Sequence, residues 1–361
     1  MTVYQDGQER FSKAYGSSKS DRELMTLNTS VRWWSVTKLV TAAAALKLID
    51  QGQLSLDEPV SKFLPFLDLT NQAGEPRSIT ILQLLNHSAG VQNNMPEGMS
   101  QLRFPDQAPV DQVAHAEALM TSRQTLRFEP GSKAEYSNTA YILLGAVVQN
   151  VSGMLFEDFV RANILKPLMM NETDFVFPDG VPYADGTHPV LHFTSPLLAL
   201  TDIDAGAVVK KLDDGLIWFK EFYLVYTGST SLNGSVCDLA RFNQMILNAG
   251  ELDGVRILSK PAVDMFLRAH FVRLDGAPPW TMQGIGWRRP PVDPQAPRNR
   301  LVHSGGGPGF SVQNVIYPDE NLSFAFVANG TDLPRDAISD MLAAIDWRLP
   351  DAAATMGCGR L

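Results

Sequence analysis

The sequence predicts an α+β protein in which an antiparallel β-sheet is flanked by helices and a mostly helical lobe is inserted. Strand-like patterns occur near both chain ends, at residues 2–15 and 311–327, and helical patterns dominate between them. The 361 residues exceed what one compact core normally holds, so we expect two lobes. We assign residues 1–58 and 229–361 to a discontinuous α/β domain and residues 59–228 to the inserted helical domain.

The chain begins with a predicted hairpin and a long buried helix. Residues 2–15 have the pattern of two strands that turn at Asp6-Gly7, a dipeptide common in hairpin turns. Residues 40–49 are nearly all Ala, Leu, Ile or Val, and Gly52 is suited to end a helix. A helix with so little polar surface is expected to be buried on most sides.

Helices are predicted through the middle of the chain, and strands return towards its end. Helical spacing of apolar residues marks the segments 114–120, 139–151, 156–165 and 236–247. Strand-like runs follow near residues 284–287, 311–317 and 322–327. The sequence Pro318-Asp319-Glu320-Asn321 is typical of a turn that joins the last two runs. A closing amphipathic helix after Pro334 is predicted from apolar residues at helical spacing: Ile338, Met341, Leu342, Ile345 and Leu349.

Composition and charge exclude several classes of partner. Hydrophobic residues make up 45% of the chain and charged residues 19%, which is ordinary for a globular protein. The net charge of −9 and the pI near 5.2 argue against nucleic acid or an anionic membrane as a partner. No apolar run is long enough to span a bilayer. The start lacks a signal-peptide pattern, so we expect the cytoplasm unless an upstream segment is missing.

The two cysteines, Cys237 and Cys358, do not suggest a disulfide framework. Cys237 lies in a helical pattern and is expected to be a small buried apolar residue. Cys358 lies near the end of the chain, where we expect a frayed tail.

Ser35 and Lys38 form an S-x-x-K motif at the start of the predicted buried helix. Residues three apart share a helix face, so the Lys38 amine can reach the Ser35 oxygen. A serine at a helix N-terminus also feels the positive end of the helix dipole, which favours an alkoxide-like nucleophile. The alternative is an N-cap serine followed by a surface lysine, because S-x-x-K often occurs by chance.

Two further clusters accompany this motif and make the chain resemble a known superfamily. Tyr136-Ser137-Asn138 precedes an apolar helix, and His303-Ser304-Gly305 ends a Pro-rich loop before a strand-like run. In the order SVTK, YSN and HSG, the motifs resemble those of the serine β-lactamase and penicillin-recognising superfamily. They look most like its class C-like branch, which includes family VIII carboxylesterases, D-aminopeptidases and DD-peptidase-like enzymes. Similar segments extend over almost the whole chain: residues 79–90, 238–242, 252–259 and 307–311.

The resemblance implies a β-lactamase/transpeptidase-like fold with the active site in the cleft between the two lobes. It also implies that Ser35 is the nucleophile and that Lys38 and Tyr136 carry protons. Neither an amine nor a phenol is a useful base at its ordinary pKa of about 10, so the pocket must lower the pKa of one of them. The sequence leaves open which of the two is the base, and we expect the pair to titrate together.

The remaining site residues are expected to bind the substrate. Asn138 fits an amide that orients Lys38 and contacts the substrate carbonyl, although it is also suited to cap the following helix. The resemblance places the oxyanion hole at the backbone N–H groups of Ser35 and Gly306. Glycines at Gly305 and Gly306 let a substrate approach the strand backbone closely.

His303 decides which activity we expect. It stands where true class C lactamases have a lysine that helps hold the carboxylate of the drug, and a neutral imidazole is a poorer partner for an anion. We therefore expect a serine hydrolase that cleaves small, moderately apolar carboxylic esters through an acyl-Ser35 intermediate. The alternatives are a D-aminopeptidase- or DD-peptidase-like amidase, a weak β-lactamase and, outside the enzymes, a catalytically silent penicillin-binding-like sensor. The expected partner is a small ester or amide substrate, no cofactor is expected, and a homo-oligomer is allowed.

Other conspicuous residues have structural interpretations. The segment from residue 188 to 226 departs most from the superfamily, and we favour an extra core helix there over an apolar wall or lid beside the cleft. His188 and His192 are four residues apart, but Pro189 between them argues against a shared helix face, so no metal site is expected. His87 is expected to order a loop at a helix end.

Overall fold

An eight-stranded antiparallel sheet is the largest element of the fold and is built from both ends of the chain. The computed structural model describes residues 1–93, 102–190, 205–277, 281–291, 298–331 and 357–358. In chain order the strands of this sheet are β1 (Thr2–Gln5), β2 (Gln8–Ser12), β3 (Val272–Arg273), β4 (Met282–Gln283), β5 (Arg288–Arg289), β6 (Leu301–Gly307), β7 (Phe310–Tyr317) and β8 (Leu322–Ala328). Their order across the sheet is β3-β4-β5-β6-β7-β8-β1-β2. The predicted α+β fold with an antiparallel sheet is confirmed.

The two ends of the chain meet where β1 pairs with β8. Thr2 lies opposite Ala325, and the register continues to Gln5 opposite Leu322. The predicted first hairpin is confirmed, because β1 and β2 are joined by Asp6 and Gly7, which both have positive φ. The predicted turn between β7 and β8 is confirmed as well, as a 3₁₀ turn at Pro318–Glu320.

Helices cover the sheet and fill the middle of the chain. The α-helices within the described residues are α1 (Thr37–Asp50), α2 (Ile81–Leu85), α3 (Gln112–Met120), α4 (Asn138–Ser152), α5 (Phe156–Val160), α6 (Ala205–Val208), α7 (Thr227–Thr230), α8 (Val236–Leu247) and α9 (Lys260–Arg268). All residues of α1 except Lys47, Ile49 and Asp50 are buried, as its apolar sequence predicts. The core lies where α1 packs against α4 and where α8 packs on β8 and β1.

The ends of α4 agree with the helix predicted at residues 139–151, because a local signal fixes each end. The Ser137 hydroxyl accepts a hydrogen bond from the backbone N–H of Ala140 (3.1 Å), which caps the start of the helix. Gly153, with a φ of +68°, ends it in the left-handed conformation that favours glycine. A π-helical turn at Arg161–Leu165 continues α5.

No single helix within the described ranges is long and apolar enough to cross a bilayer. Helix α4 and residues 156–165 pass that test only as a pair, and the pair is bent by 77°.

One predicted strand is wrong in its placement. The sequence suggests a strand at residues 284–287, but these residues form the turn between β4 and β5. The backbone N–H of Gly284 donates to the carbonyl of Trp287 (2.8 Å), and Gly286 adopts a φ of +69°. Two glycines therefore allow a tight reversal here, while the apolar Ile285 and Trp287 that suggested a strand are buried in the core.

The extra core helix favoured for residues 188–226 is also wrong for the part that the structure describes. A small antiparallel sheet forms there, with Leu216–Phe219 between Thr187–Pro189 and Val209–Asp213. Asp214 and Gly215 have positive φ and make the turn of a hairpin, which takes precedence over the apolar content. This sheet docks where the N–H of Thr187 donates to the carbonyl of Gly309 (3.1 Å), beside the turn that follows β6.

Several sequence-based predictions lie outside the described residues or stay untested. The closing amphipathic helix after Pro334 lies outside them, as do His192 and the apolar residues near it: Leu191, Phe193, Leu197, Leu198 and Leu200. The division into residues 1–58 with 229–361 and residues 59–228 stays a prediction. Two short ladders link distant segments, Val31–Arg32 with Asn233–Gly234 and Leu102–Arg103 with Tyr223–Leu224. A local hairpin pairs Glu251–Leu252 with Val255–Arg256.

Cys237 is buried, as predicted, but a disulfide joins it to Cys358, so the expectation of two unpaired cysteines and a frayed Cys358 is wrong. Their Cα atoms are 5.3 Å apart across 121 residues of sequence. Cys237 lies in the first turn of α8, and the backbone N–H of Cys358 donates to the Glu9 carboxylate on β2 (2.9 Å). Disulfides persist mainly in oxidising compartments, so this bond does not fit the cytoplasmic location that the sequence predicts. The compartment itself stays a prediction.

We predict that Cys358→Ser lowers the free energy of unfolding by about 2–4 kcal/mol, because the bond restricts a long loop of the unfolded chain. Denaturant titration of oxidised wild type and variant measures the loss. Reduced wild type and Cys237→Ser should lose a similar amount. The prediction fails if a thiol assay on unfolded, unreduced wild type finds two free thiols.

Candidate active site

Ser35 lies in a 3₁₀ turn, Trp34–Val36, that leads directly into α1. The turn follows Val31–Arg32, which is held by its pairing with Asn233–Gly234. Trp34 has a φ of +47°, a strained conformation for a large residue and one that clusters at functional sites. Ser35 is partly exposed, whereas its neighbours Trp34 and Val36 are buried. The chain therefore presents this one hydroxyl at the start of a buried helix.

The Lys38 amine is fully buried and has three oxygen neighbours. Its Nζ lies 2.7 Å from Asn138 Oδ1, 2.9 Å from the backbone oxygen of Ser229 and 3.4 Å from Ser35 Oγ. No carboxylate within the described ranges forms an ion pair with it. Burial, and to a smaller degree the positive Arg288, hold the pKa of Lys38 well below its ordinary value.

This geometry has a simple consequence for the protons on Lys38. A neutral amine carries two N–H bonds and one lone pair. Asn138 Oδ1 and the Ser229 carbonyl can only accept, so they take the two N–H bonds. The lone pair then faces Ser35 Oγ, at a distance typical of a catalytic contact before the substrate binds. Lys38 is thus arranged to accept a proton from Ser35.

Asn138 orients Lys38, as expected, but it does not cap α4. It is the first residue of the helix, and the cap is its neighbour Ser137. The backbone N–H of Asn138 donates to Asn93 Oδ1 (2.6 Å), which fixes the start of the helix from the other side. The side chain of Asn138 is therefore free to hold the amine.

Tyr136 is partly buried beside Lys38, in the middle of the site. Its ring centre lies 4.9 Å from Lys38 Nζ and 4.6 Å from the Arg288 guanidinium carbon. Burial raises the pKa of Tyr136 to about 12, although the nearby Ser35 hydroxyl and Arg288 act in the opposite direction. Within the described residues its hydroxyl completes no hydrogen bond of normal geometry. At neutral pH Tyr136 is therefore a neutral phenol, able to donate a proton.

The strand β6 brings the third motif against Ser35. A Cβ atom on Gly305 would lie 2.0 Å from the carbonyl oxygen of Trp33 and 3.2 Å from the backbone nitrogen of Ser35. Only glycine allows this approach between the strand and the serine turn. Gly306, the next residue, is exposed and faces open space. The backbone of Gly306, one residue beyond the close approach of Gly305 to Ser35, thus lies at the open side of the strand.

His303 is buried on β6 and neutral. Its Nδ1 lies 3.1 Å from the carbonyl oxygen of Ser304, which can only accept, so Nδ1 carries the proton. Its Nε2 keeps a lone pair that has no partner within the described part of the chain. Burial, Arg288 and Lys38 hold the pKa of His303 well below its ordinary value. Its ring centre is 6.3 Å from that of Tyr136.

Two site groups, Arg288 and Ser229, have no signal in the sequence, and His87, which was expected only to order a loop, lies at the site as well. Arg288 reaches the site because β5 pairs with β6, with Arg288 opposite Val302. Ser229 contributes through a backbone carbonyl, which every residue possesses. His87 lies 4.6 Å from the Tyr136 ring and accepts a hydrogen bond from the backbone N–H of Ser137 at its Nδ1 (3.0 Å). The described residues hold no group of three or more His, Cys, Asp or Glu side chains that could bind a metal ion.

We predict that Gly305→Ala destabilises the protein by about 1–3 kcal/mol or more, because its Cβ would overlap the Trp33 carbonyl and push β6 away. Thermal denaturation measures the loss. Gly306→Ala is the matched control, since its Cβ meets open space, and it should melt within about 1–2 °C of wild type. Equal melting of the two variants would contradict the contact.

Comparison with known proteins identifies the family of the chain. The family model described as Beta-lactamase matches residues 1–346. The D-alanyl-D-alanine-carboxypeptidase/endopeptidase AmpH of Escherichia coli (strain K12) is 25% identical over 360 residues, which cover 96% of this chain and 84% of that protein.

Solved structures share the fold. The octameric penicillin-binding protein homologue from Pyrococcus abyssi aligns with a TM-score of 0.70 and 25% identity, over 95% of this chain and 72% of its own. EstCE1, titled a hydrolase with promiscuous acyltransferase activity, aligns with a TM-score of 0.69 and 21% identity, over 91% and 88%, which shows the fold alone. The chain therefore belongs to the beta-lactamase family and is a serine hydrolase related to the penicillin-binding proteins.

Proposed function

We propose that the protein hydrolyses small, moderately apolar carboxylic esters through an acyl-Ser35 intermediate. The observation that carries this proposal is the contact set of Lys38, whose two accepting neighbours leave its lone pair facing Ser35 Oγ. A buried amine without a counter-ion is the kind of base that can take a serine proton at neutral pH.

In the acylation step, Lys38 accepts the Ser35 proton while Oγ attacks the ester carbonyl carbon. The carbonyl double bond opens to an oxyanion, which the backbone N–H groups of Ser35 and Gly306 stabilise. When the double bond re-forms, the C–O bond to the alcohol breaks. The leaving alkoxide takes a proton from the Tyr136 hydroxyl, and Tyr136 recovers one from the Lys38 ammonium.

In the deacylation step, a water molecule attacks the acyl-Ser35 carbonyl carbon and gives its proton to Lys38. The second oxyanion collapses, the bond to Ser35 Oγ breaks, and the proton returns to the serine. The carboxylic acid leaves, and both side chains regain their starting protonation. No metal or cofactor is needed for this sequence of steps.

His303 supports uncharged esters as the preferred substrates. Its burial and its positive neighbours keep it neutral, so the third motif offers no cation for a substrate carboxylate. The lone pair on His303 Nε2 can instead accept a hydrogen bond from an alcohol leaving group or from the attacking water.

A second candidate function is favoured by Arg288. Its guanidinium lies over the Tyr136 ring and forms no ion pair within the described ranges, so a substrate carboxylate would be a fitting partner. This points to amides with a free carboxylate, as in the substrates that the name of AmpH gives for that protein. β-Lactam hydrolysis would use the same acyl-Ser35 chemistry. The silent-sensor alternative is disfavoured, because Ser35, Lys38 and Tyr136 are all in place.

We predict that Ser35→Ala abolishes turnover of p-nitrophenyl esters and that Lys38→Met lowers kcat by about 10²–10⁴-fold, since it removes the base. A spectrophotometric assay with acetyl to octanoyl esters measures both. Lys47→Met is the control on the same helix, because that amine donates to the Ile257 carbonyl (2.7 Å) outside the site, and the variant should retain wild-type kcat. Undiminished activity in Ser35→Ala would overturn the mechanism.

The same panel separates the candidates. A D-Ala-D-Ala peptide and its C-terminal amide test the role of the free carboxylate, and a chromogenic cephalosporin tests β-lactam hydrolysis. We expect the highest kcat/KM for the esters. If the free peptide is preferred and Arg288→Met abolishes that preference, the amidase candidate replaces the esterase.

We predict that kcat for a neutral ester falls as the pH drops through the lowered pKa of Lys38, because only the neutral amine can accept the Ser35 proton. Removing the positive neighbour in Arg288→Met raises the pKa of Lys38, so this loss should begin at a higher pH. The pH dependence of kcat measures the displacement. Arg289→Met is the control, because its side chain stacks on Phe271 instead, and a displacement to lower pH would refute the coupling.

A further inference from the structure

His87 lies in a loop that holds the segment carrying Tyr136. It follows α2, is buried and has a φ of +61°. Its carbonyl accepts from the N–H of Glu135 (3.0 Å), and the next carbonyl, that of Ser88, accepts from the N–H of Gly131 (2.8 Å). Residues 87–90 therefore run alongside residues 127–137. The strained backbone of His87 lies at the point where this contact approaches the site.

The side chain of His87 completes the contact. Its Nδ1 accepts from the backbone N–H of Ser137 (3.0 Å), and Asn93 Oδ1, further along the same loop, accepts from the next N–H, that of Asn138. These N–H groups lie at the start of α4, where helices leave their donors without intrahelical partners. Two side-chain acceptors from one loop thus fix the start of the helix between Tyr136 and Asn138.

The hydrogen bond assigns the proton on His87. A backbone N–H can only donate, so Nδ1 must be unprotonated and the proton lies on Nε2. This is the opposite tautomer to that of His303, whose Nδ1 is protonated because it faces a carbonyl. The His87 ring lies between two phenols, with its centre 4.6 Å from that of Tyr136 and 4.9 Å from that of Tyr141.

We propose that His87 is a positioning residue that holds the Tyr136 hydroxyl at Ser35, and that it does so only as the neutral, Nε2-protonated tautomer. The inference rests on the proposed function for its effect on catalysis, whereas the tautomer follows from the geometry alone. The role goes beyond ordering a loop, because the ring that accepts from Ser137 also packs on the catalytic phenol.

The surroundings of His87 keep it neutral. The titratable groups that face it are Lys38 from α1, Arg288 from β5 and His303 from β6, together with the two phenols that its ring contacts. Protonation would add a positive charge beside Arg288 and would remove the acceptor for Ser137. Burial and these neighbours hold the pKa of His87 well below its ordinary value.

Two variants separate the parts of this role. His87→Asn keeps an acceptor close to the Nδ1 position and loses the ring, whereas His87→Phe keeps a ring and loses the acceptor. We expect kcat for the ester to fall about 100-fold in His87→Phe, the effect of a misplacement near 1 Å, with KM within about threefold of wild type. His87→Asn should recover at least about tenfold of that loss.

A matched control tests for a general effect of histidine replacement. His115 on α3 is partly buried and packs at a tilt against Tyr226, with ring centres 5.5 Å apart. We expect His115→Phe to retain kcat. Wild-type kcat in His87→Phe, or no recovery in a folded His87→Asn, would overturn the positioning role.

Nuclear magnetic resonance of protein with ¹⁵N-labelled histidines tests the tautomer without any substrate. The signal missing from His87→Asn identifies the residue among the six histidines. We expect His87 to be protonated at Nε2 alone and not to titrate between about pH 6 and 8, the range around the ordinary histidine pKa. A protonated Nδ1 would overturn the inference whatever the activity. If wild type cleaves no ester but His87 has the expected tautomer, the proposed function fails and the assignment of His87 stands.

Discussion

A buried lysine amine without a counter-ion is the constraint on which the rest of the site depends. Removing an ammonium from water is costly, and no carboxylate in the described part of the chain compensates Lys38. The fold instead supplies two neutral acceptors, Asn138 Oδ1 and the Ser229 carbonyl, which suit a neutral amine. The Ser229 carbonyl reaches Lys38 because α7 packs tightly on α4, where a Cβ on Gly228 would lie 2.4 Å from the Tyr141 carbonyl oxygen. Helix packing thus sets the protonation of the base.

The site is joined from parts that the sheet and the helices bring together. Ser35 and Lys38 come from one helix start, Tyr136 and Asn138 from another, and the third motif from a central strand. Gly305 shows how closely they must meet, since any side chain there would overlap the turn that carries Ser35. The glycine is therefore as necessary for the geometry as the polar groups are for the chemistry.

The charges around the site are unusually one-sided. The positively charged Arg288 lies near Lys38, whose pKa is lowered, and near His87 and His303, which burial keeps neutral. The pKa of Tyr136, in contrast, is raised, so the phenol retains its proton. Lowered and raised pKa values in one pocket assign opposite roles, with Lys38 as acceptor and Tyr136 as donor. A positive surrounding also favours the oxyanion that forms when Ser35 attacks.

The sequence by itself determined the chemical groups of the site and the class of the fold. Local patterns were enough for the hairpin at the start and for α1, α4 and α8, because periodicity and end signals act within a few residues. Ser35, Lys38, Tyr136, Asn138, His303 and Gly305 were all named from motifs, and the structure brings them together. The choice between Lys38 and Tyr136 as base was open, because a pKa depends on burial and on neighbours from other elements.

Only the tertiary structure decided the contacts between residues far apart in the chain. Arg288 enters the site through strand pairing, and Ser229 acts through its backbone, so neither leaves a mark in the sequence. The bond between Cys237 and Cys358 joins residues that are 121 positions apart, and Cys358 also donates to Glu9 on β2. A hairpin turn at Asp214-Gly215 likewise forms a small sheet where the sequence predicts a helix. In each case the deciding interaction is between segments, and one segment alone cannot specify its partner.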